Sequence, residues 1–251
     1  MTGKPGYFNR YKTVAFDRTE NGILTVRLHT NDGPVVYSSQ NHSDWVGAFY
    51  DIAADADNKV VILTGTGGEF ISQWGWDADM ANAHDWDRIY WEGKHLLRNL
   101  LNIEVPVIGA VNGPATIHSE LALLSDITLA SDTAVFQDRP HIPFYSVPGD
   151  GIAAVWMEIL GTNRGRYFLL TGQKISAQEA LALGVVNEVL PPDKLMPRAM
   201  ELAERLAMLP PLTARYTRVV LTERLKRLID GSLGYSLALE GLGAWGLISS
   251  R

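Results

Sequence analysis

Between Thr13 and Thr30 two β-rich stretches, TVAFDR and ILTVRLHT, flank Thr19-Glu20-Asn21-Gly22. Asn-Gly supplies the positive-φ pair that tight hairpins favour, so the pattern predicts an opening β-hairpin. A helical stretch follows around 43–56. Lys59 to Thr64 is then a short run, apolar on both faces, that ends in Gly65-Thr66-Gly67-Gly68 and suits a buried parallel strand. Trp86, Ile89, Tyr90, Gly93, Leu96, Leu97, Leu100 and Leu101 recur at the helical period, with Asp85 or a neighbour as the expected cap. That helix stops before Pro106, and a second buried strand runs from Pro106 to Val111. Strand, crossover helix and strand form a βαβ unit of expected right-handed sense. A short helix from about His118 to Leu124 and a third apolar run, Asp126 to Ala130, repeat the unit at closer spacing.

Beyond Gly149 the pattern turns mostly helical. Ile152 to Leu160 and Asn163 to Thr171 read as helices, and Ser176-Ala177-Gln178-Glu179 is a capping-box sequence opening a helix that ends near Gly184. A short strand, Val185 to Leu190, precedes Pro191-Pro192. From Asp193 onward two or three helices are expected, with breaks at Pro210-Pro211 and near Gly231 and Gly234. Residues 1–190 therefore read as an α/β core. Residues 191–251 read as a helical region that packs on the core or on a neighbouring subunit.

The chain has 251 residues and no cysteine, with 22 Lys and Arg against 28 Asp and Glu, a formal net charge of −6. Its composition is that of an ordinary globular protein. Zero cysteine removes disulfides, thiolate-held metals, iron–sulfur clusters and thiol nucleophiles together. The acidic balance offers no broad basic footprint for nucleic acid or an anionic membrane. Met1 to Lys12 holds no apolar stretch of signal-peptide length, and no apolar run approaches the ~18 residues of a membrane span. The expectation is a soluble, cytoplasmic protein.

Several motifs fail on inspection. Gly65-Thr66-Gly67-Gly68 follows a strand, but position 70 is Phe and no P-loop lysine follows. No histidine pair has the i,i+4 spacing of a helical zinc site, and no metal is implied. No Gly-x-Ser-x-Gly elbow is present. The basic cluster Arg215, Arg218, Arg224, Lys226 and Arg227 reads as a solvated helix face.

The densest chemistry lies in Phe136-Gln137-Asp138-Arg139-Pro140-His141-Ile142-Pro143 and on to Val147-Pro148-Gly149-Asp150-Gly151. It follows a buried strand, where open α/β sheets place their binding loops. His141 and Asp150 are spaced so that the carboxylate can meet one imidazole nitrogen, fix its tautomer and raise its basicity. The alternative is a loop histidine that packs or caps. His118 opens the helix after strand 106–111, where backbone amides favour developing negative charge and a histidine could add a donor or deliver a proton; in isolation it reads as a satisfied structural histidine. Glu120 reads as an ordinary first-turn carboxylate. His29, His42, His84 and His95 have no comparable setting and read as structural.

The order KVVILTGTGGEF, IEVPVIGAVNGPA, ELALLSDITLAS, VPGDG and LLTGQKISAQEALALGVVNEVL resembles the enoyl-CoA hydratase/isomerase (crotonase) superfamily over nearly the whole chain. The resemblance implies a spiral of ββα turns, C-terminal helices that form trimers often paired into hexamers, and an oxyanion hole of two backbone amides. The departures point to a narrower branch. The glycine-rich stretch of hydratases is here Pro114-Ala115-Thr116-Ile117-His118-Ser119-Glu120, their second glutamate is replaced within Arg139-Pro140-His141, and Ser72-Gln73-Trp74-Gly75-Trp76-Asp77 puts indoles where an acyl thioester would enter.

HDWD (84–87), FQDxPHxP, VPGDG and NRGRYFLLTGQ resemble the β-diketone hydrolases typified by 6-oxocamphor hydrolase. By that resemblance His141 and Asp150 match a catalytic dyad, His118 a second active-site histidine, and Glu240 a carboxylate from the C-terminal helices. Tyr37 stands where that branch has a pocket tryptophan. The implied reaction is retro-Claisen hydrolysis of a cyclic or bicyclic 1,3-diketone to a keto acid, with no cofactor. Tyr37, Trp74 and Ile117 would line the substrate, with amides near Trp74 and Ile117 and donors near His118 holding the enolate. The competing expectations are an acyl-CoA hydratase or isomerase, supported by Glu120, and a non-catalytic binding protein of the same fold.

Overall fold

The computed structural model describes residues 5–80 and 82–249. The opening hairpin forms as its turn chemistry requires. Strand β1 (Val14–Arg18) pairs antiparallel with β2 (Ile23–Leu28), and Gly22 takes φ 86° at the turn. The short β3 (Val36–Tyr37) leads into α1 (Ser39–Ala54), which starts earlier than the apolar pattern suggests because Ser38 and Asn41 form a reciprocal capping box.

Next come β4 (Val60–Thr64), β5 (Gln73–Trp74) and α2 (Ala83–Leu101). The cap of α2 is Asn82, whose side chain accepts from the amides of His84 and Asp85; Asp85 itself lies in the first turn. Strand β6 (Val107–Val111), α3 (Glu120–Leu123), β7 (Ile127–Ser131) and β8 (Val135–Phe136) follow. The chain then runs through α4 (Ile152–Leu160), α5 (Thr162–Thr171), β9 (Ile175–Ser176), α6 (Ala177–Ala182) and β10 (Glu188–Leu190) to α7 (Pro192–Ala207) and α8 (Pro211–Ser249). Ser176 and Glu179 make the expected capping box. Strand β10 is shorter than the apolar run because the amides of Val185 and Val186 turn back to the Ala180 carbonyl.

The main sheet has the order β1-β2-β4-β6-β7-β10, parallel from β2 onward. A second row of short strands runs beside it. β3 pairs with β5, single bridges join Ile71 to Ala115 and Ala115 to Phe136, and β8 pairs with β9. Successive passes of the chain thus give one strand to each row and then a helix, the spiral of ββα turns that the sequence resemblance implies. Both faces of the main sheet are buried. Val61 and Leu63 enter the larger cluster, while Val60 and Ile62 pack with Ile108 against Leu195, Ala199 and Ala203 of α7. Period-two alternation within a uniformly apolar run follows from having a helix layer on each side.

Two expectations for the C-terminal region are corrected. No break occurs at Gly231 or Gly234, and α8 runs unbroken for 39 residues. A Cβ on Gly234 would lie 3.3 Å from the Tyr90 hydroxyl of α2, and one on Gly241 would overlap the Trp86 indole, so these two glycines permit close helix packing instead of ending the helix. Nor is the whole basic cluster solvated. Arg218 is 1% exposed, pairs with Asp126 and donates to the carbonyls of Ile103 and Leu100, which clamps α8 onto the core. Among the described residues no helix is long and apolar enough to cross a membrane.

Candidate active site

The loop after β8 carries His141, and its backbone is fastened at several points. The Arg139 amide donates to Thr116 O, the Arg139 guanidinium to Ser72 O, and the amides of Phe144 and Ser146 both donate to His141 O. These bonds hold the imidazole at the wall of a cavity lined by Tyr37, His118, Asp150, Glu240 and the indoles of Trp74 and Trp76. Asp150 stands at the entry to α4, its Oδ1 accepting from the Ile152 amide at 3.1 Å. Glu240 comes from α8 and is only 8% exposed, far from the solvated helix position its local sequence suggests.

The expected pairing of His141 with Asp150 is realised differently. Asp138, three residues upstream and fully buried, accepts from His141 Nδ1 at 2.6 Å. Asp150 Oδ2 and Glu240 Oε1 each lie 3.7 Å from the other nitrogen, Nε2. Asp138 therefore fixes the tautomer, and Asp150 faces the reactive edge of the ring. Asp138 was not singled out from the sequence, although its i,i+3 spacing to His141 in a Pro-bounded loop was the available signal.

His118 adopts φ 45°, a left-handed conformation uncommon for a residue with a side chain. It falls in the stretch that is glycine-rich in hydratases. Both ring nitrogens are occupied: Nδ1 lies 2.6 Å from Glu120 Oε1, and Nε2 lies 2.7 Å from the Tyr37 hydroxyl. Glu120 is fully buried and bonded to a cavity-lining histidine, and so is not an ordinary first-turn carboxylate. Asp150 Oδ2 is also 3.6 Å from His118 Nδ1, which places this one carboxylate between the two histidines.

The expected lining residues divide. Tyr37 is buried, with its ring centroid 5.2 Å from that of Trp76 and 5.8 Å from that of Trp74. Trp74 is 47% exposed at the mouth. In the parallel pair of β3 and β5 the Gly75 amide bonds Tyr37 O, so the Trp74 amide points away from β3 and is available as a donor. Ile117 is not among the residues lining the cavity: its amide and that of Thr116 both donate to Ile71 O, and its side chain is buried in the core. The Trp76 indole N–H, by contrast, is buried without a partner and belongs to a cavity-lining ring. His42, read from the sequence as structural, also lines the cavity. Its Nδ1 lies 2.8 Å from Glu92 Oε2, and its ring centroid is 6.0 Å from that of His118.

Burial alone would depress both central histidines, but the carboxylates overcome it. Asp150, Asp138 and Glu240 hold His141 well above the ordinary histidine value, and Glu120 with Asp150 raises His118. Burial lowers His42 despite Glu92. Burial likewise raises Asp138, Glu120 and Glu240. Asp150 is the exception: burial pushes it up, but His141 and His118 outweigh that and hold it below the ordinary aspartate value. Tyr37 is driven far up by burial and remains a phenol. His118, Glu120 and Asp150 present ligand atoms within 4.8 Å of one another. The His118–Glu120 contact already uses two of those atoms in a hydrogen bond.

The ββα spiral carries this cavity at its second row of strands, and residues 18–231 match the family model for enoyl-CoA hydratase/isomerase. The chain belongs to that family, the crotonase superfamily. It is 30% identical over 192 residues to a short-chain-enoyl-CoA hydratase of Clostridium acetobutylicum, covering 74% of this chain and 72% of the relative. A probable peroxisomal enoyl-CoA hydratase of Arabidopsis thaliana is 33% identical over 198 residues, 78% and 72% of the two chains. Among solved structures, a β-diketone hydrolase from the cyanobacterium Anabaena, bound to (S)-3-oxocyclohexyl acetic acid, superposes with TM-score 0.95 at 53% identity, covering 98% of this chain and 99% of that one. An enoyl-CoA hydratase/isomerase from Mycobacterium paratuberculosis reaches TM-score 0.83 at 25% identity over 93% and 94%.

Proposed function

We propose that this protein is a β-diketone hydrolase, cleaving a C–C bond of a cyclic or bicyclic 1,3-diketone by retro-Claisen hydrolysis. The observation that carries the reading is His141, tied at Nδ1 to Asp138 while Nε2 faces Asp150 and Glu240 at 3.7 Å. Three polar atoms at that spacing suit a bridging water better than direct bonds. His141 takes a proton from this water, and the hydroxide adds to one carbonyl. Collapse of the tetrahedral adduct breaks the bond to the central carbon, forming a carboxylic acid and an enolate conjugated to the second carbonyl. Protonation of that carbon gives the keto acid.

The cavity walls suit such a substrate. Their only potential cations are histidines, and no lysine or arginine lines the cavity among the described residues, which favours a neutral compact ketone over a phosphorylated thioester. Trp74 N–H and Trp76 Nε1–H supply donors for the ketone or enolate oxygen, each well-placed donor contributing about 3–4 kcal/mol. The likeness to the Anabaena hydrolase at 53% identity supports the same reading.

The second reading, an acyl-CoA hydratase or isomerase, is favoured by the relatives at about 30% identity and by Glu120, buried against His118. Purified protein given a bicyclic or cyclohexane 1,3-dione, and separately crotonyl-CoA, separates the two by loss of the diketone or enoyl chromophore. Dione loss is expected; thioester turnover without dione loss would sink the proposal. The exposed Leu212, Tyr216 and Val220 of α8 support assembly through residues 191–251 into a homotrimer or a dimer of trimers, which sedimentation velocity measures.

A further inference from the structure

The enolate needs a proton at carbon, and His118 is poorly placed to deliver it directly. Its Nδ1 is spent on Glu120 and its Nε2 on Tyr37. Tyr37 carries the only hydroxyl among the described residues lining the cavity. Its ring is boxed by Trp45, Trp74 and Trp76 at centroid distances of 5.8, 5.8 and 5.2 Å, which fixes where the oxygen sits. When His118 is an imidazolium both ring nitrogens donate, Nδ1–H to Glu120 and Nε2–H to the Tyr37 oxygen. The Tyr37 O–H is then released from His118 and free to donate into the cavity. When His118 is neutral, with Nδ1–H on Glu120, its bare Nε2 captures the phenol proton.

We propose that Tyr37 is the acid that protonates the enolate carbon, recharged by His118 across the 2.7 Å contact; this rests on the diketone reading above. The enolate C=C electron pair takes the Tyr37 O–H proton and becomes a C–H bond. The Tyr37 oxygen takes the Nε2 proton of His118, leaving that ring neutral and still bonded to Glu120. Once product leaves, the Tyr37 O–H proton passes back to His118 Nε2 as the Tyr37 oxygen takes a proton from water in the cavity, and His141 Nε2, beside Asp150 and Glu240 at 3.7 Å, returns to solvent the proton it took. The sum is diketone plus water giving keto acid, with both histidines restored. Because the phenol is fixed against three indoles, the proton arrives on one face of the carbon.

The test compares wild type with Tyr37→Phe on a prochiral bicyclic 1,3-dione in D2O, reading the product by NMR. Wild type should place one deuteron on a single face of the α-carbon. Tyr37→Phe should turn over more slowly, on the order of 10²-fold, with the deuteron spread over both faces as solvent takes over. Single-face labelling retained by Tyr37→Phe, with wild type active, overturns the relay alone. Wild type inert toward diones overturns the diketone reading and the relay with it. Should Tyr37→Phe fail to fold, 3-fluorotyrosine installed at position 37 alone preserves the contacts while making the phenol more acidic. The basic limb of the pH–rate profile should then fall at lower pH, and an unmoved limb contradicts the relay.

Discussion

The two ends of the cavity are built from the same parts, a buried histidine and buried carboxylates, and differ in what is left open. At one end His118 is saturated, with Glu120 on Nδ1 and the Tyr37 hydroxyl on Nε2. At the other, His141 has one nitrogen committed to Asp138 and one facing Asp150 and Glu240 beyond hydrogen-bond range. A base must keep a nitrogen open toward its water, whereas a proton donor can work through a bonded neighbour. Under the proposed diketone hydrolysis, the contrast matches proton removal to the His141 end and proton delivery to the His118 end. Asp150 lies within 3.7 Å of both.

The largest break in this contrast is His141→Ala. Dione cleavage should fall by about 10²–10⁴-fold, with a stability loss of about 1–3 kcal/mol as the buried Asp138 carboxyl loses its partner; an undiminished kcat/KM would mark the imidazole as structural. Asp138→Asn comes next, lowering kcat/KM by roughly 10²-fold as the tautomer loses its anionic acceptor. It also moves the pH profile. Asp138 is among the charges raising His141, and the proton on that ring blocks it as a base, so activity rises with pH as the ring deprotonates. Removing the charge should carry that acid limb to lower pH, and a limb that stays put would mean Asp138 does not act on His141.

Gly149→Ala probes the docking of α8. A Cβ at Gly149 would meet the Ser236 carbonyl at 2.3 Å and Glu240 Cβ at 2.7 Å, so the helix must shift. About 1–3 kcal/mol of stability should be lost, seen as a lower denaturant midpoint, with a several-fold fall in kcat and single-face labelling intact. The smallest effect on dione loss should come from Glu120→Gln. It leaves the Tyr37 hydroxyl in place and removes only the charge that supports His118, so its signature is eroded facial selectivity with a less than tenfold change in rate.

The sheet was legible because its strands are buried on both faces, which leaves continuous apolar runs such as Val60 to Leu63. His141, Asp150, His118 and Glu240 do converge on one cavity, yet the partner each uses was not readable. Asp138 bonds His141 inside an irregular loop, where no periodicity marks which side chains meet. His42 and Glu92 come from different helices, and only their buried-face positions, His42 beside Trp45 and Val46 and Glu92 beside Ile89 and Leu96, hinted at a role. The Ile117 amide illustrates the reverse failure: it lies in the expected segment but is consumed by the Ile71 carbonyl. Gly234 and Gly241 read as helix breakers or neutral positions because their value lies in contacts with α2, which no local pattern records.

The most direct test of the diketone reading is one turnover of a bicyclic 1,3-dione by the wild-type protein in H2(18)O, with the product analysed by mass spectrometry. Hydrolysis at the His141 end predicts one heavy oxygen per molecule, carried by the new carboxylate. An unchanged dione, or a product without the label in its carboxylate, would contradict it.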